Sequence, residues 1–228
     1  GMYTLNKCRF PGCDKCAISV SDSNVKLTGQ EGFCIDHCPD KIQAINTLKE
    51  YIYTHDKIVG MTACGLVVED LNLNGKKFYG CNFQHCTFTN IHAQGFRARM
   101  CMFDFSTFTD CYYIESNVQF SSFSGSKFVH MILTGSDLIH NNFNGITSYQ
   151  SSFDDCDLYN SRFIKALLIN TSLKNCNLKK TAFYESAREN VSFKLSKTRE
   201  ALVDRNKGGL MGDFNARLEE EDEQGDNL

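Results

Sequence analysis

Six residues near the start of this 228-residue chain carry the side chains of a metal site: Cys8, Cys13, Cys16, Cys34, His37 and Cys38. Thiolates and an imidazole in two close-spaced groups suit tetrahedral zinc, because each of two turns can bring a pair of ligands to one ion. Two pairings compete. One joins Cys8-x4-Cys13 to Cys34-x2-His37, and the other joins Cys13-x2-Cys16 to Cys34-x3-Cys38, which has zinc-ribbon spacing. Six candidates exceed the four ligands of a closed site, so the sequence leaves the set open, with disulfides or unligated thiols as rival readings. An ion would tie down a segment that has little apolar content of its own. Its role would be structural, since nothing nearby supplies the general acid or base that an open, catalytic zinc would use.

The remaining histidines, His55, His85, His92, His130 and His140, are dispersed. No Ser/His/Asp set or carboxylate pair accompanies them, so no catalytic residue and no organic cofactor is assigned and the chain is expected not to be an enzyme. Charge narrows the partners further. Residues 69–195 hold 12 Lys/Arg against 11 Asp/Glu, and the net charge of −3 comes from the end of the chain, where Glu219, Glu220, Glu221, Asp222, Glu223 and Asp226 crowd together as a solvated, disordered tail. A nucleic-acid binder would show a basic stripe with interleaved aromatics, which is lacking. No charged leader opens the chain and no run approaches the roughly 18 apolar residues of a membrane span, so a cytoplasmic protein with reduced thiols is expected, with no membrane partner.

The element that must carry these residues announces itself by a period of five. Stepping by five from Leu73 to Phe193 gives 25 positions, of which 21 are Leu, Phe, Tyr or Val; only Ala93, Ala98, Ser148 and Arg188 depart. Two residues before each lies a second register, Leu71 to Val191, in which 17 of 25 are Cys, Ser, Ala or Thr. Neither a helix at 3.6 nor a strand at 2 has this period, and a short fixed period sustained so long calls for a solenoid. Each pentapeptide would make one side of a coil, with its small and its large residue turned inward. Four sides follow from the twenty-residue column Phe83, Phe103, Phe123, Phe143, Phe163 and Phe183, which would stack at the β spacing of about 4.8 Å. Gly and Asn, at Gly75, Gly125, Gly145, Asn90 and Asn160 among others, sit where the chain must turn. Six cysteines, Cys81, Cys86, Cys101, Cys111, Cys156 and Cys176, fall in the small inward register and read as buried thiols. Cys64 lies outside that register and reads as a buried residue of the capping region.

Segments such as Ser136-Asp137-Leu138-Ile139-His140, Asp157-Leu158-Tyr159-Asn160 and Cys176-Asn177-Leu178-Lys179-Lys180 resemble the pentapeptide-repeat family, whose loose consensus is Ala-Asp/Asn-Leu-x-x. The resemblance covers a little over half the chain, with Cys and Ser in place of the usual Ala and Phe often in place of Leu. The expected fold is an all-β solenoid, a right-handed quadrilateral parallel β-helix of about six coils with an N-terminal capping helix. The N-terminal arrangement Cys8-x4-Cys13 with Cys34-x2-His37, and Gly12 before the second Cys, resembles a zinc-binding knuckle. That resemblance makes Cys8, Cys13, Cys34 and His37 the first-choice ligands of a structural Zn2+, with Cys16 and Cys38 as alternates.

Four segments are expected. Residues 1–38 form the Cys/His-rich segment, 39–68 a capping helix and linker with Ile42, Ile45, Leu48 and Ile52 on one face, 69–195 the β-helix, and 196–228 a C-terminal part in which Leu210, Phe214 and Leu218 repeat at helical spacing and would cap or dimerise. A solenoid presents a long flat wall, which suits a non-enzymatic scaffold for an unidentified protein partner or a second copy of the chain. Val129, Tyr149, Leu167 and Ile169 should share one face with Ile164 at its edge, an apolar patch covered either by the C-terminal segment or by a partner. Some pentapeptide-repeat proteins imitate DNA and bind gyrase. That is the alternative reading here, disfavoured by the near-neutral solenoid.

Overall fold

The computed structural model describes residues 7–21, 27–28 and 32–204, and the C-terminal residues Leu210, Phe214 and Leu218 lie outside them. The chain is a right-handed parallel β-solenoid of about seven turns with one helix near its N-terminal end. Strands of three to six residues stack in parallel at a twenty-residue offset: Phe88 beside Phe108, Phe108 beside Phe128, Phe128 beside Ser148 and Ser148 beside Leu168. Two faces carry regular sheets, one of seven strands and one of four, and single bridges continue the pairing on the other sides.

The interior follows the two registers. Phe83, Phe103, Phe123, Phe143, Phe163 and Phe183 stack ring on ring at 4.9 to 5.7 Å with interplanar angles of 9° to 15°. Where the large register is short of volume, the small one supplies it. Ala93 and Ala98 are flanked by Ile91 and Phe96, and the Phe96 ring lies 5.2 Å from Phe78 and 5.1 Å from Tyr113, so the volume of the coil is conserved although the pattern is broken. Every fifth residue turns the corner in the left-handed region, whether glycine as at Gly145 (φ 69°) or not, as at Asn160 (φ 56°).

Ser, Thr, Asn and Cys in the small register do more than fill space. The Ser161 hydroxyl donates to the Leu138 carbonyl at 2.6 Å and accepts the Asn141 N–H at 2.9 Å. Ser126 and Ser136 repeat both bonds, and Asn141 does the same with its amide group. Cysteine keeps at least the donated bond, as Cys156 does to Leu133 at 3.1 Å. These side chains satisfy backbone groups that the short strands leave over inside a dry core. Ser161→Ala is therefore expected to cost about 1–3 kcal/mol in chemical denaturation, because it strands a buried donor and a buried acceptor together. Ser161→Cys should cost less.

The solenoid is longer than the sequence pattern implied at both ends. Lys57–Val59 already pairs with Lys77–Tyr79, so the first coil begins inside the segment read as linker, and Ser196 and Leu202 continue the ladder beyond 195 through bonds to Leu173 and Thr181. In that first coil Met61 and Leu66 occupy the small register and Ala63 the large one, all fully buried. Small and large are exchanged, which hid the coil from the pattern. Cys64 correspondingly sits at a turn of this coil and is half-buried, not buried.

The helix runs Lys41–Thr54, started by the Asp40 carboxylate accepting the Gln43 N–H at 3.0 Å. Leu48 and Ile52 are buried against the first coil and Ile45 is partly so, but Ile42 is 74% exposed. In the first turn only Ala44 is partly buried against the core. At the other end, buried Lys76 donates to the carbonyls of Tyr53 (3.1 Å) and His55 (2.8 Å), which explains a lysine in the inward register: it satisfies the helix C-terminus.

Candidate metal centre

Two tight turns build the site. In the first, Lys7 bridges Cys16, Cys8 N–H donates to Lys15 at 2.8 Å, and Cys13 N–H donates to Phe10 at 3.0 Å. Gly12 turns the chain with φ of 80°, a conformation that resists a side chain, and so delivers Cys13 back toward Cys8. In the second, the N–H groups of His37 and Cys38 both donate to the Cys34 carbonyl at 3.1 and 3.0 Å, which folds His37 over Cys34.

Together they place one donor atom from each of Cys8, Cys13, Cys34 and His37 within 4.8 Å of one another. The Cys34 Sγ to His37 Nδ1 distance is 3.3 Å, Cys8 Sγ to His37 Nδ1 is 3.6 Å, and Cys13 Sγ to Cys34 Sγ is 3.9 Å. A tetrahedron whose sulfurs lie about 2.3 Å from its centre has edges of about 3.8 Å, so these separations are those of ligands around a common ion. The group can hold a metal ion, since its four donors are already gathered. The Phe10 ring stacks on His37 at 4.0 Å and 10°, which accounts for an aromatic residue left half exposed, and the Phe10 N–H points to Cys8 Sγ at 3.5 Å.

Electrostatics favour at least one thiolate. Burial works against ionisation of Cys8, but the N–H groups of Cys34 and Phe10, the His37 ring and the Cys34 thiol outweigh it and bring Cys8 down to about 6. Cys34 moves the other way, raised mainly by burial. Asp36, between the two second-turn ligands, is brought to about 2 by its hydrogen bonds from Lys15 (2.5 Å) and Lys41 (3.0 Å), which tie the turn to the first hairpin and to the helix.

The alternates lie outside this group. The Cys38 thiol donates to the Ile35 carbonyl at 3.3 Å, and Cys16 lies on the side of the first coil, lining a cleft with Cys64. The metal segment is docked onto the solenoid by reciprocal bonds between Ser19 and Thr62, each of 2.8 Å, with Ile18 and Ile35 joining the core. Docking creates a cleft of about 540 Å³ lined by Lys15, Cys16, Asp36, Cys64, Gln84 and His85 among others, a hollow that a flat wall does not imply.

On the seven-stranded face Val129, Tyr149 and Ile169 stand side by side in register, with Leu167 two positions away at 37% exposure and Ile164 in the turn before it. Lys127 lies over the Tyr149 ring at 5.9 Å. Sequence reasoning missed exposed apolar residues at corners, Met100, Phe105 and Phe120 with φ near 50° and Leu195 at 66°. The signal was present: bulky apolar residues in a register where Gly and Asn are the rule.

Residues 151–186 match the family model described as Pentapeptide repeats, in eight copies. The structure of QnrB1, a plasmid-mediated fluoroquinolone resistance protein, is similar over 72% of this chain and 93% of that one, with 16% identity and a TM-score of 0.47. HetL, a pentapeptide repeat protein involved in heterocyst differentiation regulation in the cyanobacterium Nostoc sp. strain PCC 7120, covers 65% of this chain and 81% of its own at 8% identity and a TM-score of 0.27. A pentapeptide repeat protein of the Arabidopsis thaliana thylakoid lumen reaches 22% identity over 51% of this chain and 70% of its own, with a TM-score of 0.21. No curated protein matches the chain. No helix among the described residues is long and apolar enough to cross a membrane.

Proposed function

We propose that this solenoid of pentapeptide repeats is a non-enzymatic scaffold that binds a protein partner in the cytoplasm, its N-terminal end held by a structural Zn2+ on Cys8, Cys13, Cys34 and His37. The observation that carries the scaffold reading is the outward column Val129, Tyr149 and Ile169 with Leu167 beside it, apolar side chains set in register on a rigid sheet. Such a row costs solubility without adding to the core and is the kind of surface that proteins bury on binding. For the metal, three sulfurs and a ring nitrogen at tetrahedral separations support a closed structural site over a catalytic one, and the neighbouring Asp36 carboxylate, held at about 2 by Lys15 and Lys41, is a poor general base.

A DNA-mimic acting on gyrase is the second reading. It asks for a rod dense in negative charge, and 12 basic against 11 acidic residues in 69–195 do not provide one. One experiment addresses both. Cross-linked capture from the native host, run with the wild-type protein and with Tyr149→Lys and Ile169→Lys together, should lose one specific partner with the variant, while a gyrase supercoiling assay shows no inhibition by either. Identical capture by both proteins would remove the patch from the proposal, and inhibition of supercoiling would promote the second reading.

A further inference from the structure

One outward column of the solenoid changes sign along its length. On the four-stranded face, parallel pairing sets Lys77 beside Arg97 and Arg97 beside Asn117; the same column then passes to Asp137 and Asp157. None of these four charged residues has an ion-pair partner among the described residues. Asp137 and Asp157 instead each accept an amide of their own face, from Gln119 at 3.3 Å and Asn177 at 2.9 Å. From Lys77 onward two cations, a neutral amide and two carboxylates therefore follow at equal steps with the amide in the middle, and Lys57 precedes them as Asn177 follows, so that in an antiparallel copy this outer cation would face an amide.

We propose that this face binds a second copy of the chain, antiparallel, about a twofold axis through Asn117. A twofold axis in the contact plane and perpendicular to the rods lays each column against itself in reverse. Asn117 then faces Asn117, Arg97 faces Asp137 and Lys77 faces Asp157, and both copies supply every pair. Since the two rods share one repeat spacing, setting any one pair in register sets the others. A second feature falls on the same axis. Phe120, at the corner bordering this face and level with Asn117, is 56% exposed in a left-handed conformation (φ 51°) that a phenylalanine adopts at a cost, stacked on His140 at 4.8 Å. In the dimer it meets its own copy at the centre, where interfaces place aromatic anchors.

The strip is one face wide and about 29 Å long over six steps of 4.8 Å, short of the roughly 800 Å² per partner of stable complexes. Association is accordingly weak and sensitive to salt. The acidic run Glu219 to Asp226 of the chain itself is the competing occupant, but it would satisfy Lys77 and Arg97 alone and make no use of Asp137 and Asp157.

Charge reversal tests this with the full chain. Sedimentation velocity at low ionic strength, where the Debye length exceeds about 10 Å, should show a reversible dimer of the wild type that dissociates in 1 M salt. A variant with Lys77→Glu and Arg97→Glu, and a second with Asp137→Lys and Asp157→Lys, should each be monomeric, since each puts like charges opposite one another. Mixed one to one, the two variants should form a heterodimer at least tenfold tighter than either self-association. Circular dichroism of each variant checks folding, which substitution of outward residues should leave intact. A monomeric wild type, dimerisation by either variant alone, or failure of the mixture to associate would overturn the proposal. Loss of association only with the Lys77/Arg97 variant would assign the basic half to the acidic run instead.

Discussion

Removal of zinc is expected to release residues 7–38 while the solenoid from about Phe83 onward stays folded. Elemental analysis of the purified protein should find about one zinc per chain, and Cys34→Ala should abolish it, because Cys34 makes two of the three measured edges of the ligand group. Structural zinc sites of this kind contribute apparent binding free energies of about 10–16 kcal/mol in isolated fingers at neutral pH, all of it unavailable to the metal-free segment. Hydrogen exchange after chelation should therefore rise most in residues 7–21 and 32–38. A smaller rise should follow in the first coil, whose Met61 and Ile58 share one core cluster with Ile18 and Ile35 of the docked segment and Leu48 and Ile52 of the helix, since in a solenoid each coil leans only on its neighbours. Alkylation gives an independent reading. Cys8, Cys13 and Cys34 should become modifiable on chelation, whereas burial holds Cys86, Cys111 and Cys176 up at about 12 and should keep them unmodified until denaturant is added. Protein without metal, or sulfurs paired as disulfides, would sink the zinc assignment. Unfolding of the whole rod on chelation would refute the separation of the two units.

The second large effect is in the core. Phe143→Ala should lower stability by about 3–5 kcal/mol, the range for a buried phenylalanine whose surroundings cannot collapse. Phe143 is 1% exposed and stacks on Phe123 at 5.2 Å and Phe163 at 4.9 Å, with the Phe153 ring edge-on at 5.8 Å. The backbone ladders on every side hold these rings at fixed height, so the cavity should stay open. Equilibrium denaturation should show a lowered midpoint, and a broadened or two-step transition is expected too, because a gap in the middle of a one-dimensional array weakens the coupling of its halves. An unchanged midpoint would mean that the phenylalanine column does not carry the core.

The period of five, the phenylalanine column and the corner residues were legible because a solenoid writes its tertiary contacts as a sequence interval. Residues that stack are twenty apart, and the same backbone geometry recurs at each step, so Phe83 to Phe183 could be read without any knowledge of neighbouring elements. The grouping of three cysteines and a histidine was legible for a similar reason. Cys8 with Cys13 and Cys34 with His37 are each brought together by a local turn, and Gly12 marks one of them.

Tertiary structure decided whatever depended on volume or on docking. The first coil, Lys57 onward, escaped the pattern because the core asks only that Met61, Ala63 and Leu66 fill their coil together, not that small precede large. Ile42 kept its helical spacing but is left exposed, since the packing of the helix falls further along, on Leu48 and Ile52. That Cys16 stands outside the metal group, lining a cleft with Cys64, came from packing a non-repeating segment onto the first coil through Ser19 and Thr62. Serine and cysteine were expected as space-fillers, and their bonds to backbone groups of the preceding coil appeared only once the strands proved too short to satisfy those groups themselves. Periodic local geometry is carried by the chain's own covalent order, whereas these outcomes rest on which surfaces meet, and that is determined only when the whole core is packed.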